Sequence, residues 1–136
     1  MLVDTSVLSL ALRRRDPIRL SERERLLVAE FIGASDRGEV ALLGVIRQEL
    51  LSGVRHQEQF DRLRRSLDGY HYFDVTLTDH DLAAEYTNQC RAAGLSAGDI
   101  DMLICAVAVR ADVPVFTTDG DFKGYARHVP VVLHDS

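Results

Sequence analysis

The run 98–122 constrains this chain most, because carboxylates flank two apolar segments within it. Asp101 stands at the start of an unbroken apolar run, 102–109, and Asp119 follows a shorter apolar segment, 113–116. A buried carboxylate is costly unless something pairs with it. Ligands of α/β sheets bind just beyond the carboxyl ends of strands. The run therefore predicts an α/β protein with a site built from acids.

Composition indicates one ordinary globular domain covering 1–136, since 46% of the residues are apolar and 27% are charged. No apolar run approaches the roughly 20 residues of a membrane span, and no secretory signal is recognisable, so we expect a cytoplasmic protein without a membrane partner. The two cysteines fit no metal spacing. A net charge of −5 argues against coating nucleic acid by charge alone but is compatible with an acidic, cation-holding pocket.

Hydrophobic patterning predicts four short strands and an edge strand that alternate with helices, at 1–3, 40–43, 72–75, 113–116 and 131–133. Such alternation predicts a three-layer α/β/α fold with a small, mainly parallel sheet of four to five strands. Capping boxes predict helix starts after Ser21, Thr78 and Ser96, and Thr5 or Ser6 is expected to cap the first helix. The acids after strands one and four would meet if those strands were neighbours, which the sequence leaves open.

Four acids are the candidate catalytic residues, and all except Asp101 have a structural alternative. Asp4 follows the first strand and is free for function if Thr5 or Ser6 caps the helix. Glu49 falls on the apolar stripe of its helix, where an acid needs a partner. Asp101 leads into the apolar run, and Asp119 lies nearer the strand end than Asp121. One of the latter two is expected to be only a turn residue.

Other polar residues could support these acids. Ser6, Thr118 and Asp121, together with Thr117, could hydrogen-bond a carboxylate or a water on a metal. Asp99 is about 200° round the helix from Asp101, so the two cannot face one pocket, and we interpret Asp99 first as the acid of the Ser96 capping box. Two arginine groups could contact phosphates, although such runs are more often solvated faces: Arg13, Arg14 and Arg15, and Arg62, Arg64 and Arg65.

Four converging carboxylates without histidine or cysteine describe a site for a hard cation, Mg²⁺ or Mn²⁺. Their mutual repulsion makes such a site depend on bound cations. Metals held in this way lower the pKa of water and stabilise charge on a phosphate, which favours phosphodiester hydrolysis.

Four motifs, in this order, resemble those of the PIN-domain family: DTSVL from Asp4, QELLSG around Glu49, DMLICAVA from Asp101 and TTDGDF around Asp119. The short chain is most similar to the VapC-type toxins of toxin–antitoxin systems. The resemblance implies a PIN fold and Mg²⁺- or Mn²⁺-dependent endonucleolytic cleavage of RNA. It also implies metal binding by Asp4, Asp101 and Asp119, a homodimer, and inhibition by a cognate VapB-type antitoxin. Ser6 departs from the Asn that many members carry.

Two other functions remain open. An aspartate-dependent phosphatase also has an Asp after strand one, but its chemistry usually requires a second acid two residues later, where this chain has Ser6. Only the phosphatase should form an aspartyl adduct with a phosphate mimic. A catalytically inactive PIN-fold binding module is the second alternative. The intact acid set argues against it, and failure to bind Mn²⁺ at millimolar concentration would favour it.

Overall fold

The computed structural model describes residues 1–13 and 19–135. Its strands are β1 (Leu2–Val3), β2 (Ala41–Leu42), β3 (His71–Tyr72) and β4 (Val115–Phe116). Its α-helices are α1 (Thr5–Leu8), α2 (Glu22–Asp36), α3 (Gly44–Leu51), α4 (Gln57–Leu67), α5 (Leu77–Ala92), α6 (Asp99–Ala111) and α7 (Asp121–Tyr125). A π-helical turn, Ser9–Arg13, continues α1.

The four strands form one parallel sheet in the order β3-β2-β1-β4. Leu2 pairs with Val115, and Val3 pairs with Phe116. The chain moves outward from β1 to β3 and then returns past β1 to β4, so right-handed crossovers put α5 and α6 on the face opposite α2 to α4. This return makes β1 and β4 neighbours, and the residues that follow them emerge side by side. The predicted α/β class with a mainly parallel sheet is confirmed.

The predicted strands are longer than the observed ones, and the observed third strand is displaced toward the N-terminus. The sequence predicts the third strand at 72–75, but β3 spans His71–Tyr72. Its last backbone hydrogen bond to β2 runs from the Phe73 N–H to the Leu42 carbonyl. The edge strand predicted at 131–133 is a single parallel bridge between Leu133 and Val115. The Val115 N–H donates to the Val132 carbonyl, and the His134 N–H donates to the Val115 carbonyl.

Helix starts were predicted correctly at only one of the three capping boxes. Ser21 and Glu24 exchange the expected hydrogen bonds, at 3.1 and 3.0 Å. The box predicted at Thr78 is wrong, because Thr76 and Asp79 form it two residues earlier. The box predicted at Ser96 is also wrong, since Gly98 is the N-cap of α6 and no side chain caps that helix.

The first helix also begins earlier than predicted. Thr5 and Ser6 lie inside α1, and Asp4 occupies the N-cap position without capping the helix through its side chain. The prediction that Thr5 or Ser6 is the cap is therefore wrong, whereas the expectation that Asp4 does not cap through its carboxylate agrees with the structure.

The core is densest around α6, where every residue from Met102 to Ala108 is buried. This agrees with the apolar run in the sequence, since α6 packs on both α5 and β4. Burial of each large apolar side chain contributes about 1.5–3 kcal/mol to the stability of the fold, so packing fixes the position of α6 and of the residues at its N-terminus. Within the described residues, no helix combines the length and the apolar character that crossing a bilayer requires.

Candidate metal centre

Asp4 is fixed by two hydroxyl groups from different parts of the chain. Its side chain is only 7% exposed. Ser6 Oγ donates a hydrogen bond to Asp4 Oδ2 at 2.9 Å, and Thr117 Oγ1 donates to the same oxygen at 2.8 Å. The backbone N–H of Asp4 also donates to the Phe116 carbonyl at 2.9 Å. The pairing of β1 with β4 thus brings Asp4 to the segment that carries Asp119.

The two hydroxyls are themselves held by backbone N–H groups of the segment after β4. The Thr118 N–H donates to Ser6 Oγ, and the Asp119 N–H donates to Thr117 Oγ1, both at 3.0 Å. Each hydroxyl therefore donates to Asp4 and accepts from the backbone, which satisfies both roles. Because these donors are neutral, they orient the carboxylate without cancelling its charge.

Asp101 lies in the first turn of α6, half-buried. The hydroxyl of Tyr125 donates to its Oδ2 at 3.1 Å. Burial is the main cause that raises the pKa of Asp101, to about 6, and the charges of Asp4, Asp119 and Glu49 raise it further. The Tyr125 hydrogen bond acts in the opposite direction, toward a lower pKa. Asp101 thus experiences the negative charge of the three other candidate acids.

Asp119 is half-buried and has one side-chain oxygen engaged. Its Oδ1 accepts the N–H of Asp121 at 2.9 Å, and its carbonyl accepts the N–H of Phe122 at 3.3 Å. These bonds fold the segment after β4 into α7, so the position of Asp119 is fixed by the start of that helix. Asp121 itself is exposed and contributes only its backbone here.

Glu49 lies at the rim and not on a buried stripe. The structure leaves its side chain exposed on α3, whereas its neighbours Ile46 and Leu50 are fully buried. The prediction that Glu49 belongs to the inward stripe is therefore wrong. A single helical position separates Glu49 from Leu50, and 100° of rotation is enough to turn it outward. Its charge still raises the pKa of Asp101, so it belongs to the same electrostatic neighbourhood.

The carboxylates fit a hard cation by their chemistry. The hydrogen bonds of the described residues engage one oxygen each of Asp4, Asp101 and Asp119. The second oxygen of each remains outside those bonds, and none of the three forms an ion pair with a described Lys, Arg or His. Oxygen-only donors of this kind match Mg²⁺ and Mn²⁺. Within the described residues, however, no three acids lie close enough together to hold one ion as they stand.

The floor of the site is apolar and uncharged. Cys105 follows Asp101 by one helical turn and is fully buried. Burial raises its pKa to about 12, and the nearby charges of Asp101 and Asp4 act in the same direction. The thiol therefore stays protonated at neutral pH and supplies no further ligand.

The remaining predicted residues divide between supporting and distant positions. Ser6 supports Asp4 directly, whereas Thr118 contributes its backbone N–H and leaves its side chain exposed. Asp99 is exposed and lines a different groove, between α5 and α6, with Val45 and His80. It is not a capping-box acid, because the Ser96 box does not form.

Of the predicted phosphate-contacting arginines, Arg13 is described and exposed, and Arg14 and Arg15 lie outside the described residues. Two arginines of the second group pair with acids on their own helix: Arg62 contacts Glu58, and Arg64 contacts Asp61. Such pairs are typical of a solvated helix face. The solvated-face interpretation therefore suits α4.

Tyr125 is the residue that sequence reasoning missed. It is 2% exposed and packs edge-on against Phe122, with 5.2 Å between ring centroids. The spacing of Phe122 and Tyr125, three residues apart on a short helix, could have indicated a buried pair. Nothing in the sequence indicated that α7 approaches the start of α6.

Comparisons with known proteins agree with this architecture. The sequence profile of the PIN domain matches residues 1–128. A comparison with curated protein sequences finds no significant match. Among solved structures, FitAcB from Neisseria gonorrhoeae aligns with a TM-score of 0.69 at 22% identity, over 98% of this chain and 96% of that one.

Two further solved structures are similar. A chain of VapBC2 from Rickettsia felis, bound to a DNA fragment from its promoter, aligns with a TM-score of 0.73 at 15% identity, over 99% of this chain and 97% of that one. A toxin–antitoxin complex from Klebsiella pneumoniae gives 0.70 at 17% identity, over 90% of both chains. At these identities the likeness establishes the fold. Together with the profile match over most of its length, it shows that this chain belongs to the PIN-domain family.

Proposed function

We propose that this chain is a Mg²⁺- or Mn²⁺-dependent endoribonuclease that acts as the toxin of a type II toxin–antitoxin pair. One observation carries the proposal: the hydrogen bonds of Ser6 and Thr117 to Asp4 join the ends of β1 and β4 around acids that have no cationic partner among residues 1–13 and 19–135. An arrangement that costs folding free energy without a bound ion is best explained by binding one.

Asp4, Asp101 and Asp119 would hold the cation through their unengaged oxygens, and Glu49 at the rim completes the acidic set. A bound Mg²⁺ or Mn²⁺ would supply a nucleophilic water and neutralise charge on the scissile phosphate. The chain's own contribution is position: Ser6 and Thr117 orient Asp4, and the Asp121 N–H orients Asp119.

A groove of about 270 Å³ beside α3 is suited to the RNA backbone. Arg13, Arg55 and His56 line it together with the apolar side chains of Leu12, Val54 and Leu63, and no acid is among the described lining residues. The guanidinium of Arg13 lies over Gly53, where an added Cβ would come within 2.8 Å of it. The groove follows the C-terminal end of α3, the helix that carries Glu49, so we propose that it holds phosphates next to the acidic site. Arg14 and Arg15 remain sequence predictions for the same role.

The similar solved structures support the toxin role. The Klebsiella pneumoniae structure is a toxin–antitoxin complex, and VapBC2 of Rickettsia felis is bound to a fragment of its promoter. We propose that this chain likewise pairs with a VapB-type antitoxin, forms a homodimer and acts on RNA in the cytoplasm. Growth arrest on expression, relieved by Asp4→Asn or by a protein encoded next to it, is the expected cellular result.

The direct test is an RNA cleavage assay with Mg²⁺ or Mn²⁺ on the wild type, Asp4→Asn and Asp101→Asn. Loss of a group that only orients a metal ligand commonly costs about 10- to 100-fold in metal affinity or activity, so loss of a proposed ligand itself should lower cleavage at least about 100-fold. Asp112→Asn is the matched control, because it removes an exposed carboxylate from the opposite end of α6. Its left-handed backbone (φ 55°) also suits Asn.

Undiminished cleavage by both site variants would contradict the nuclease proposal. An aspartyl adduct formed with a phosphate mimic would instead favour the phosphatase. An intact fold that binds no Mn²⁺ at millimolar concentration would favour the inactive binding module.

A further inference from the structure

Tyr125 connects the two segments that carry Asp101 and Asp119. It is the last residue of α7, the helix that begins directly after Asp119 and Gly120. Its hydroxyl donates to Asp101 Oδ2 at 3.1 Å and lies 3.3 Å from the Ser96 carbonyl, just before α6. A hydroxyl has one hydrogen to donate, and a carboxylate is the stronger acceptor. The start of α6 is thus tied to the segment after β4.

Packing around the ring of Tyr125 fixes the position of its hydroxyl. Tyr125 is 2% exposed, it packs edge-on against the fully buried Phe122, and the N–H of Val129 donates to its backbone carbonyl at 2.9 Å. A buried aromatic side chain with only two rotatable bonds holds its hydroxyl in a defined place.

The chemistry of the donor matters as much as its position. An Arg or Lys here would neutralise Asp101 and compete with a cation for it. A phenol hydroxyl fixes one carboxylate oxygen and leaves the negative charge in place. The hydroxyls of Ser6 and Thr117 act on Asp4 in the same manner. In the part of the chain that the structure describes, the side-chain hydrogen bonds to these two acids therefore all come from neutral groups.

We infer that Tyr125 is a positioning residue of the carboxylate site, which holds Asp101 so that its other oxygen can bind the cation shared with Asp4 and Asp119. The inference rests on the proposed metal-dependent function. It assigns to Tyr125 no contact with RNA and no proton transfer. Its effect should therefore appear in metal affinity first and in cleavage only as a consequence.

The test is calorimetric titration of Mn²⁺ into the wild type and Tyr125→Phe, at a temperature where both are folded. Tyr125→Phe keeps the ring and removes only the hydroxyl. We expect the Mn²⁺ dissociation constant to rise roughly 10- to 100-fold, as it does when other groups that orient metal ligands are removed. Saturating Mn²⁺ should then restore most of the RNA cleavage, which a structural defect elsewhere in the fold would not allow.

Tyr70→Phe is the matched control. It also removes a partly buried hydroxyl, one that accepts a hydrogen bond from Ser35 at 3.3 Å and precedes β3 at the opposite edge of the sheet. Its Mn²⁺ affinity should equal that of the wild type. Wild-type affinity in Tyr125→Phe, with binding lost in Asp101→Asn, would overturn the role of Tyr125 alone. Absence of Mn²⁺ binding in the wild type would overturn the proposed function and this inference together.

Discussion

Two buried acids in this fold have opposite surroundings. Asp79, 1% exposed, accepts hydrogen bonds from Arg110 Nε and Nη2 and completes the capping box of α5 with Thr76. Among the described residues, the carboxylate of Asp4, which is 7% exposed, accepts hydrogen bonds only from the hydroxyls of Ser6 and Thr117. The first acid is neutralised within the chain and stabilises the fold. The second is oriented but keeps its charge, which is the condition for holding a cation.

The effect on protonation follows the same division. Burial alone would raise the pKa of Asp79, but the bonds from Arg110 and Thr76 outweigh it and lower the pKa. Burial and the neighbouring acids raise the pKa of Asp101 to about 6. An acid with a lowered pKa contributes stability, whereas one with a raised pKa costs stability in its charged form. The two regions therefore predict opposite outcomes for the same kind of mutation.

The largest expected effect is on stability at Asp79. Asp79→Ala removes the capping-box acid of α5 and the ion-pair partner of Arg110. Because the Arg110 side chain is 40% exposed in that pair, we expect a loss of about 3 kcal/mol in the free energy of unfolding, the low end for a broken buried pair. Mn²⁺ affinity should be unchanged. Asp81→Ala is the control, since it lies on the same turn and is exposed. Equal destabilisation by both, measured by urea unfolding, would contradict the assigned box and ion pair.

Asp101→Asn should change the free energy of unfolding in the opposite direction and stabilise the metal-free protein. Because the folded-state pKa of about 6 exceeds the ordinary value of 3.8, stability of the metal-free protein falls as pH rises through that window. The variant should be about 1–2 kcal/mol more stable than the wild type at pH 7, after allowance for solvent screening, and nearly equal to it below pH 4. Thermal unfolding in the presence of a chelator measures this difference. A less stable variant would show that Asp101 serves the fold.

Thr117→Val should have a smaller effect. It removes one donor to Asp4 and the acceptor of the Asp119 N–H, so we expect about 1 kcal/mol of destabilisation and roughly tenfold weaker Mn²⁺ binding. Thr118→Val is its control, because only the backbone of Thr118 is used. Calorimetry and urea unfolding of the pair check both quantities. A stronger effect at Thr118 would reverse the assignment.

The smallest predicted effect is a difference in acid sensitivity. The lowered pKa of Asp79 gives stability that is complete above the unfolded value of about 3.8 and is lost as pH falls through the folded value. The stability of Asp79→Asn should therefore decline less steeply than that of the wild type below about pH 4. Urea unfolding at a series of pH values compares the slopes, and parallel slopes would contradict the shift.

The fold class, and the places of Asp101 and Asp119 beside buried segments, could be predicted because they depend on local pattern. Asp101 precedes a seven-residue run in which every side chain is buried, and Asp119 follows a buried strand. The family resemblance added the order of the motifs. The sequence could not predict that β1 and β4 are neighbours, because strand order depends on the whole chain.

The other details escaped prediction because distant contacts decide them. The sequence offers two overlapping capping boxes, Thr76 with Asp79 and Thr78 with Asp81, and the structure uses the first, whose Asp79 also pairs with Arg110 on α6. Thr117 and not Thr118 supports Asp4, because successive residues beyond a strand point to opposite sides. Tyr125 acts on Asp101 across 24 positions in the sequence. No local periodicity contains that contact.

Anomalous diffraction from crystals of the wild type soaked in millimolar Mn²⁺ tests the central claim most directly. The account predicts a Mn²⁺ ion at the carboxyl ends of β1 and β4, with oxygens of Asp4 and at least one of Asp101 and Asp119 at about 2.2 Å. An empty site at that concentration, or Mn²⁺ held only by acids elsewhere on the chain, would contradict it.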